Sequence, residues 1–117
     1  MKKFNKQTGL TGERLAEEWL VNQGYEVVGR NFRTKLGEID LVMKQNDILV
    51  FVEVKTKKGD QYGTPEEMWD RRKAERVRRM ATVYLGGREV KCRIDLVAVV
   101  LDAADQPVSI KHYENAG

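Results

Sequence analysis

Cysteine and histidine each occur once among the 117 residues, at Cys92 and His112. A lone cysteine cannot close an internal disulfide. One thiol and one imidazole also exclude multi-Cys or multi-His zinc sites, and they make Ser-His or Cys-His catalysis a poor first expectation. Long apolar runs are missing too: the longest, Leu96 to Leu101, has six residues, far short of the roughly 20 that span a bilayer. It reads as a buried strand. Met1-Lys2-Lys3-Phe4-Asn5-Lys6 has no apolar segment behind it to make a signal peptide. A cytoplasmic, reducing setting is the expectation, in which chemistry rests on carboxylates and lysine.

The length suits one domain over residues 1–117, large enough to bury roughly two-thirds of its unfolded surface. A formal charge of +3 makes the surface mildly basic, which permits a polyanionic partner without requiring one. The excess is local, because Arg71 to Arg79 carries six cations and one anion. A solvated helix face, with cations placed behind Glu66, Glu67 and Asp70 as the helix dipole favours, explains their order but not their excess. The nucleic-acid reading assigns Arg72, Lys73, Arg76 and Arg79 to phosphate contacts.

The spacing predicts a helix from Thr11, whose hydroxyl can cap it, to Gln23, with Gly24 ending it. Its apolar stripe is Leu15, Ala16, Trp19 and Leu20, and Glu13 and Glu17 border that stripe. Strand-forming residues from Tyr25 to Phe32 precede a turn at Thr34 to Gly37, and two stronger strands follow, Glu38 to Lys44 and Ile48 to Thr56. Thr64-Pro65-Glu66-Glu67 is a helix-start signal. It predicts one helix to about Leu85 that buries Val77, Met80, Ala81 and Tyr84 before Gly86-Gly87 stops it. Strands at Cys92 to Leu101 and Val108 to Tyr113 complete an α/β order, αβββαβ plus a terminal strand. Such an order makes a mixed sheet flanked by helices, with a parallel, right-handed crossover between the third and fourth strands.

A hairpin closing over Asn46-Asp47 sets Asp40 opposite Glu53 and Glu38 opposite Lys55. The same register gathers Ile39, Leu41, Met43, Val50, Val52 and Val54 on the other face. Two carboxylates opposed at roughly 4.5 to 5.5 Å destabilise a hairpin unless something compensates. A hard divalent cation, Mg²⁺ or Mn²⁺, would do so while keeping waters for a substrate phosphate, with Lys55 as the adjacent charge and Glu13 as a further ligand or base. The plainer alternative is a charged, solvent-facing hairpin with Glu38 and Lys55 as a cross-strand ion pair.

Gly12-Glu13-x-x-Ala16, Arg30-Asn31-Phe32-Arg33, Gly37-Glu38-Ile39-Asp40-Leu41-Val42 and Phe51-Val52-Glu53-Val54-Lys55-Thr56 resemble the YraN family of predicted nucleases. The likeness continues through Gly24-Tyr25, Tyr62-Gly63, Lys73, Arg93-Ile94-Asp95 and Glu114-Asn115-Ala116. That family is similar to archaeal Holliday-junction resolvases and to the PD-(D/E)xK superfamily, which implies a restriction-endonuclease-like fold. The resemblance implies that Asp40 is the metal-binding aspartate, that Glu53 and Lys55 form the Glu-x-Lys pair, and that Glu13 is the first-helix glutamate. Catalytic roles then fall to Glu13, Asp40, Glu53 and Lys55, and metal ligation to Asp40, Glu53 and Glu13. Ile39 stands where the superfamily motif has proline, and Gly117 where the family usually carries a bulky apolar residue.

The function so implied is a metal-dependent endonuclease hydrolysing phosphodiester bonds in DNA, branched or structured DNA by analogy with the resolvases. Two rivals stand beside it: a nuclease-fold module that binds nucleic acid without turnover, and a protein-binding scaffold that uses the basic helix. Resolvase-like enzymes often act as dimers because paired cuts need two sites, but no exposed apolar stripe in the sequence marks a homodimer interface.

Overall fold

The computed structural model describes residues 2–59 and 63–117, with side chains from Gln7 onward. Tyr62, one of the residues carrying the family resemblance, lies outside them. The elements are α1 (Lys2–Asn22), β1 (Glu26–Thr34), β2 (Gly37–Gln45), β3 (Ile48–Lys58), α2 (Arg71–Leu85), β4 (Cys92–Leu101) and β5 (Pro107–Tyr113). One five-stranded sheet runs in the order β1-β2-β3-β4-β5. Among the described residues only the β3–β4 pair is parallel, as the long crossover through α2 requires.

Alternation along β3 divides the core between the two sheet faces. Val50, Val52 and Val54 pack with Ala16 and Leu20 of α1, whereas Phe51 packs with Val77 and Met80 of α2. The predicted stripe of α1 holds, with Ala16 and Leu20 fully buried and Leu15 and Trp19 packed at their edge. Tyr84 is partly buried against the α2 cluster rather than within it, and Gly86 ends α2 in the left-handed conformation at φ 57°.

Two helix starts differ from expectation. Helix α1 begins at Lys2 and not at a Thr11 cap. Thr8, Gly12, Ala16 and Leu20 form one buried row four residues apart. A Cβ on Gly12 would sit 1.9 Å from Thr56 Oγ1, so this glycine is where the helix backbone crosses β3. Tertiary packing overrides its poor helix propensity. The second helix comes in two pieces. Thr64 and Glu67 form the capping box, but they open only a short 3-10 turn, Pro65–Met68; Asp70 then caps α2 afresh by accepting from the Lys73 amide at 2.9 Å.

The β2–β3 hairpin also departs from the expected register at one end. Pairing is as predicted from Gln45–Ile48 to Leu41–Val52, but the ladder recorded between these strands does not extend to Asp40 and Glu53. The Asp40 carboxylate occupies the next position, where Oδ2 accepts the Val54 amide at 2.8 Å. Past that point Ile39 joins Val42 and Phe51 in the α2 cluster instead of following Leu41 and Met43. Strict period-two alternation along β2 therefore ends at Asp40, where a side chain has replaced a strand partner.

Candidate metal centre

Glu13 of α1 meets Glu38 and Asp40 of β2. Glu13, Glu38 and Asp40 each present a carboxylate oxygen, and the three oxygens lie within 4.8 Å of one another. Asp40 is 8% exposed. Burial, followed by the negative charge of Glu53, pushes its pKa up to about 8, against the Val54 amide and Lys55, which pull the other way. Burial likewise raises Glu13 and Glu53, opposed by the Asn31 amide and by Lys55 respectively. Burial and mutual repulsion therefore favour the protonated form of these carboxyls when no cation is present.

Glu53 and Lys55 stand together on β3, with Lys55 Nζ 3.1 Å from Glu53 Oε2. The other oxygen, Oε1, is buried and has no hydrogen-bond partner among the described residues. An orphaned carboxylate oxygen beside three more carboxylates is the donor set that a hard divalent cation takes. Of the predicted ligands, Glu13 and Asp40 belong to the tight oxygen group. Glu53 stands beside it, coupled electrostatically to both.

Two residues join the site that sequence reasoning did not place there. Glu38, expected to pair with Lys55, is instead 3.1 Å from Arg33 Nε and completes the oxygen group. Its position two before Asp40, on the same strand face, was the available signal. Asn31 holds Glu13 Oε1 through Nδ2 at 3.2 Å from a left-handed backbone at φ 52°. That conformation is uncommon outside glycine, and period-two reasoning gives no hint of it. Arg30 and Phe32, on either side of Asn31, pair with Leu41 and Ile39, so Asn31 flanks Asp40. Glu17 is engaged elsewhere, accepting both arms of the Arg30 guanidinium at 2.7 and 2.8 Å.

The basic residues divide into two settings. Lys73 donates to the Met68 carbonyl and, with Arg76, lines a cavity of about 200 Å³ that includes Glu38, Glu53 and Lys55. Arg71, Arg72, Arg76 and Arg79 line a neighbouring open groove of about 470 Å³ with Leu36 and Glu75. Arg76 lines both, so the groove on α2 and the cavity at the carboxylates adjoin at this residue.

A model of "Uncharacterised protein family UPF0102" matches residues 12–99, a span that contains Glu13, Glu38, Asp40, Glu53 and Lys55. The chain belongs to the UPF0102 family. UPF0102 relatives include a protein of Moorella thermoacetica, 40% identical over 114 residues and covering 95% of each chain. One of Alkaliphilus oremlandii is 40% identical over 118 residues, covering 97% of this chain and 99% of its own. A Symbiobacterium thermophilum protein is 43% identical over 99 residues, 82% of this chain and 84% of its own. These likenesses span nearly the whole UPF0102 domain. No helix among the described residues is long and apolar enough to cross a membrane.

Proposed function

We propose that this UPF0102 protein is a divalent-metal-dependent endonuclease that hydrolyses phosphodiester bonds in DNA. The observation that carries the reading is the under-compensated carboxylate group: Glu13, Glu38 and Asp40 within 4.8 Å, with the orphaned Glu53 Oε1 beside them. Like charges brought together under burial cost stability, and among the described residues the chain pairs Lys55 with Glu53 and Arg33 with Glu38 but gives Glu13 and Asp40 no ion pair.

Glu13, Glu38 and Asp40 would hold Mg²⁺ or Mn²⁺, with Glu53 Oε1 as an additional oxygen donor. A cation there supplies Lewis-acid stabilisation of a phosphodiester and lowers the pKa of an attacking water. The chain's own residues do the rest. Lys55, fixed by its ion pair to Glu53, brings an ammonium to the phosphate side of the carboxylates, where developing negative charge is stabilised. Lys73 and Arg76 extend that positive field along the cavity wall, and the arginines of the outer groove hold flanking phosphates. Asn31 fixes the Glu13 rotamer through its hydrogen bond.

The test incubates the full chain with linear, flapped and four-way DNA in Mg²⁺, Mn²⁺ or EDTA. Metal-dependent cutting that disappears in Asp40→Asn and in Lys55→Ala is the expected result. DNA binding with no metal-dependent cutting in wild type would instead identify a binding module, and absence of both would overturn the nucleic-acid reading.

A further inference from the structure

The outer groove is lined by one carboxylate, Glu75, which is paired with Arg78 and Arg79, and by one apolar side chain that phosphate binding does not explain. Leu36, 42% exposed, lies among Arg71, Arg72, Arg76 and Arg79 and belongs to neither core cluster among the described residues. The turn that carries it is locked. Thr34 Oγ1 accepts the Leu36 amide at 3.0 Å and donates to the Gly37 carbonyl at 3.3 Å. Gly37 adopts φ 138°, a conformation open to glycine, and the side chains of Arg76 and Met80 lie 3.8 Å from where its Cβ would be. The β1–β2 turn is therefore seated against α2, and Leu36 is presented to the groove by a braced backbone.

Arginines on a groove wall take phosphates, which carry no apolar surface for a leucine to bury. A paired, stacked base offers only its edges in the grooves, whereas an unstacked base offers a whole apolar face, the partner that wedge leucines find in other nucleic-acid complexes. Building on the nuclease reading, we infer that Leu36 is a specificity residue that contacts an unstacked base next to the scissile phosphate. The preferred substrate is then DNA with a locally unpaired base, a flap or a bubble, over fully paired DNA, including a four-way junction whose bases are all paired.

Fluorescence anisotropy in EDTA, which prevents cutting, tests this with two probes of equal phosphate count: a fully paired duplex and a duplex with a short central bubble. Wild type should prefer the bubble. Leu36→Ser should weaken bubble binding about tenfold while changing duplex binding less than about twofold, with its salt dependence unchanged. Leu36→Met, still apolar, should retain the preference. Arg76→Gln should weaken both probes and lower the salt slope by about 0.9. Equal effects of Leu36→Ser on both probes, or on neither, would overturn the inference and leave the nuclease reading standing. A wild type that binds neither probe would remove both. Because the side chain is exposed and outside the core, unchanged thermal melting of the Leu36 variants is expected and verifies that they fold.

Discussion

Asp40 and Asp95 are both buried aspartates on central strands, and their surroundings are opposite. Asp95 has no exposure and four donors: the Arg93 guanidinium at 3.0 and 3.2 Å, His112 Nε2 at 2.7 Å and the Asn115 amide at 3.0 Å. Burial pushes its pKa up, but the bonds from His112, Arg93 and Asn115 outweigh that and hold it below the usual range. The network is closed around it, with Tyr25 OH accepting from Arg93 and with Trp19 and Tyr25 edge-on to His112 at 5.5 and 5.7 Å. Asp40 has one backbone donor and faces other carboxylates. A buried charge whose partners come from the chain is structural, and one left among like charges requires something from outside.

The most severe way to break this contrast is Asp95→Ala, which leaves the Arg93 guanidinium and the His112 ring without the buried carboxylate that joins them, with only Glu114 at 3.9 Å from Arg93. A loss of about 3–5 kcal/mol is expected in urea denaturation, the scale for removing one partner of a buried ion pair. A loss below about 1 kcal/mol would mean that the network is dispensable.

Asp40→Asn should do the reverse. The amide oxygen can still accept the Val54 amide, while the negative charge that Asp40 takes on as pH rises toward and past about 8 can no longer form beside the other carboxylates. Stability without metal should therefore hold or rise by about 0.2–1 kcal/mol, while Mg²⁺ or Mn²⁺ affinity and cleavage collapse. Equal metal binding by both proteins in isothermal titration would remove Asp40 from the ligand set.

The two aspartates should also bend the stability–pH curve in opposite senses. Asp40 is raised from 3.8 to about 8 in the fold, so the folded state holds its proton more tightly. The stability it contributes is complete below about pH 4 and is lost as pH rises toward and through 8. Asp95 is lowered from 3.8, so its contribution is complete above that value and is lost as pH falls through its folded pKa. Thermal melts of metal-free protein should show the alkaline limb flattened in Asp40→Asn and the acidic limb flattened in Asp95→Asn. Added Mg²⁺ should restore the alkaline limb of wild type only.

The smallest contrast is between Glu13→Gln and Glu17→Gln. Both remove one negative charge from α1, but Glu17 is spent on Arg30, whereas Glu13 belongs to the oxygen group. Metal affinity should fall for Glu13→Gln and stay level for Glu17→Gln, and equal affinities would exclude Glu13 as a ligand.

Much of this site is legible in the amino-acid sequence. The alternation that buries Val50, Val52 and Val54 fixed the hairpin register from Leu41 to Gln45, and with it the neighbourhood of Asp40, Glu53 and Lys55. It failed where a side chain replaced a backbone partner, because period-two reasoning assumes an unbroken ladder. The start of α1 differs for another local reason: a threonine hydroxyl before the apolar stripe reads as a cap at Thr11, whereas the helix runs through it from Lys2 and Gly12 gains its value from contact with Thr56, far along the chain. The Asp95 network was least legible. Tyr25, Arg93, Asp95, His112 and Asn115 are ordinary residues in sequence, and only the fold brings them together. The family resemblance includes Tyr25, Arg93, Asp95 and Asn115 but not His112, and it attaches no role to any of them.

The hydrogen bond from the Val54 amide to Asp40 makes one backbone proton a reporter on the site. Val54 donates to an ionisable side chain, so its amide resonance should shift as Asp40 titrates near pH 8 and as a cation competes for the same carboxylate. The amide of Val52, whose residue pairs with Leu41 within the regular ladder, serves as the neighbouring control. A two-dimensional nitrogen–proton spectrum can thus follow protonation and metal loading at Asp40 in the wild-type chain, with no substitution, no substrate and no turnover.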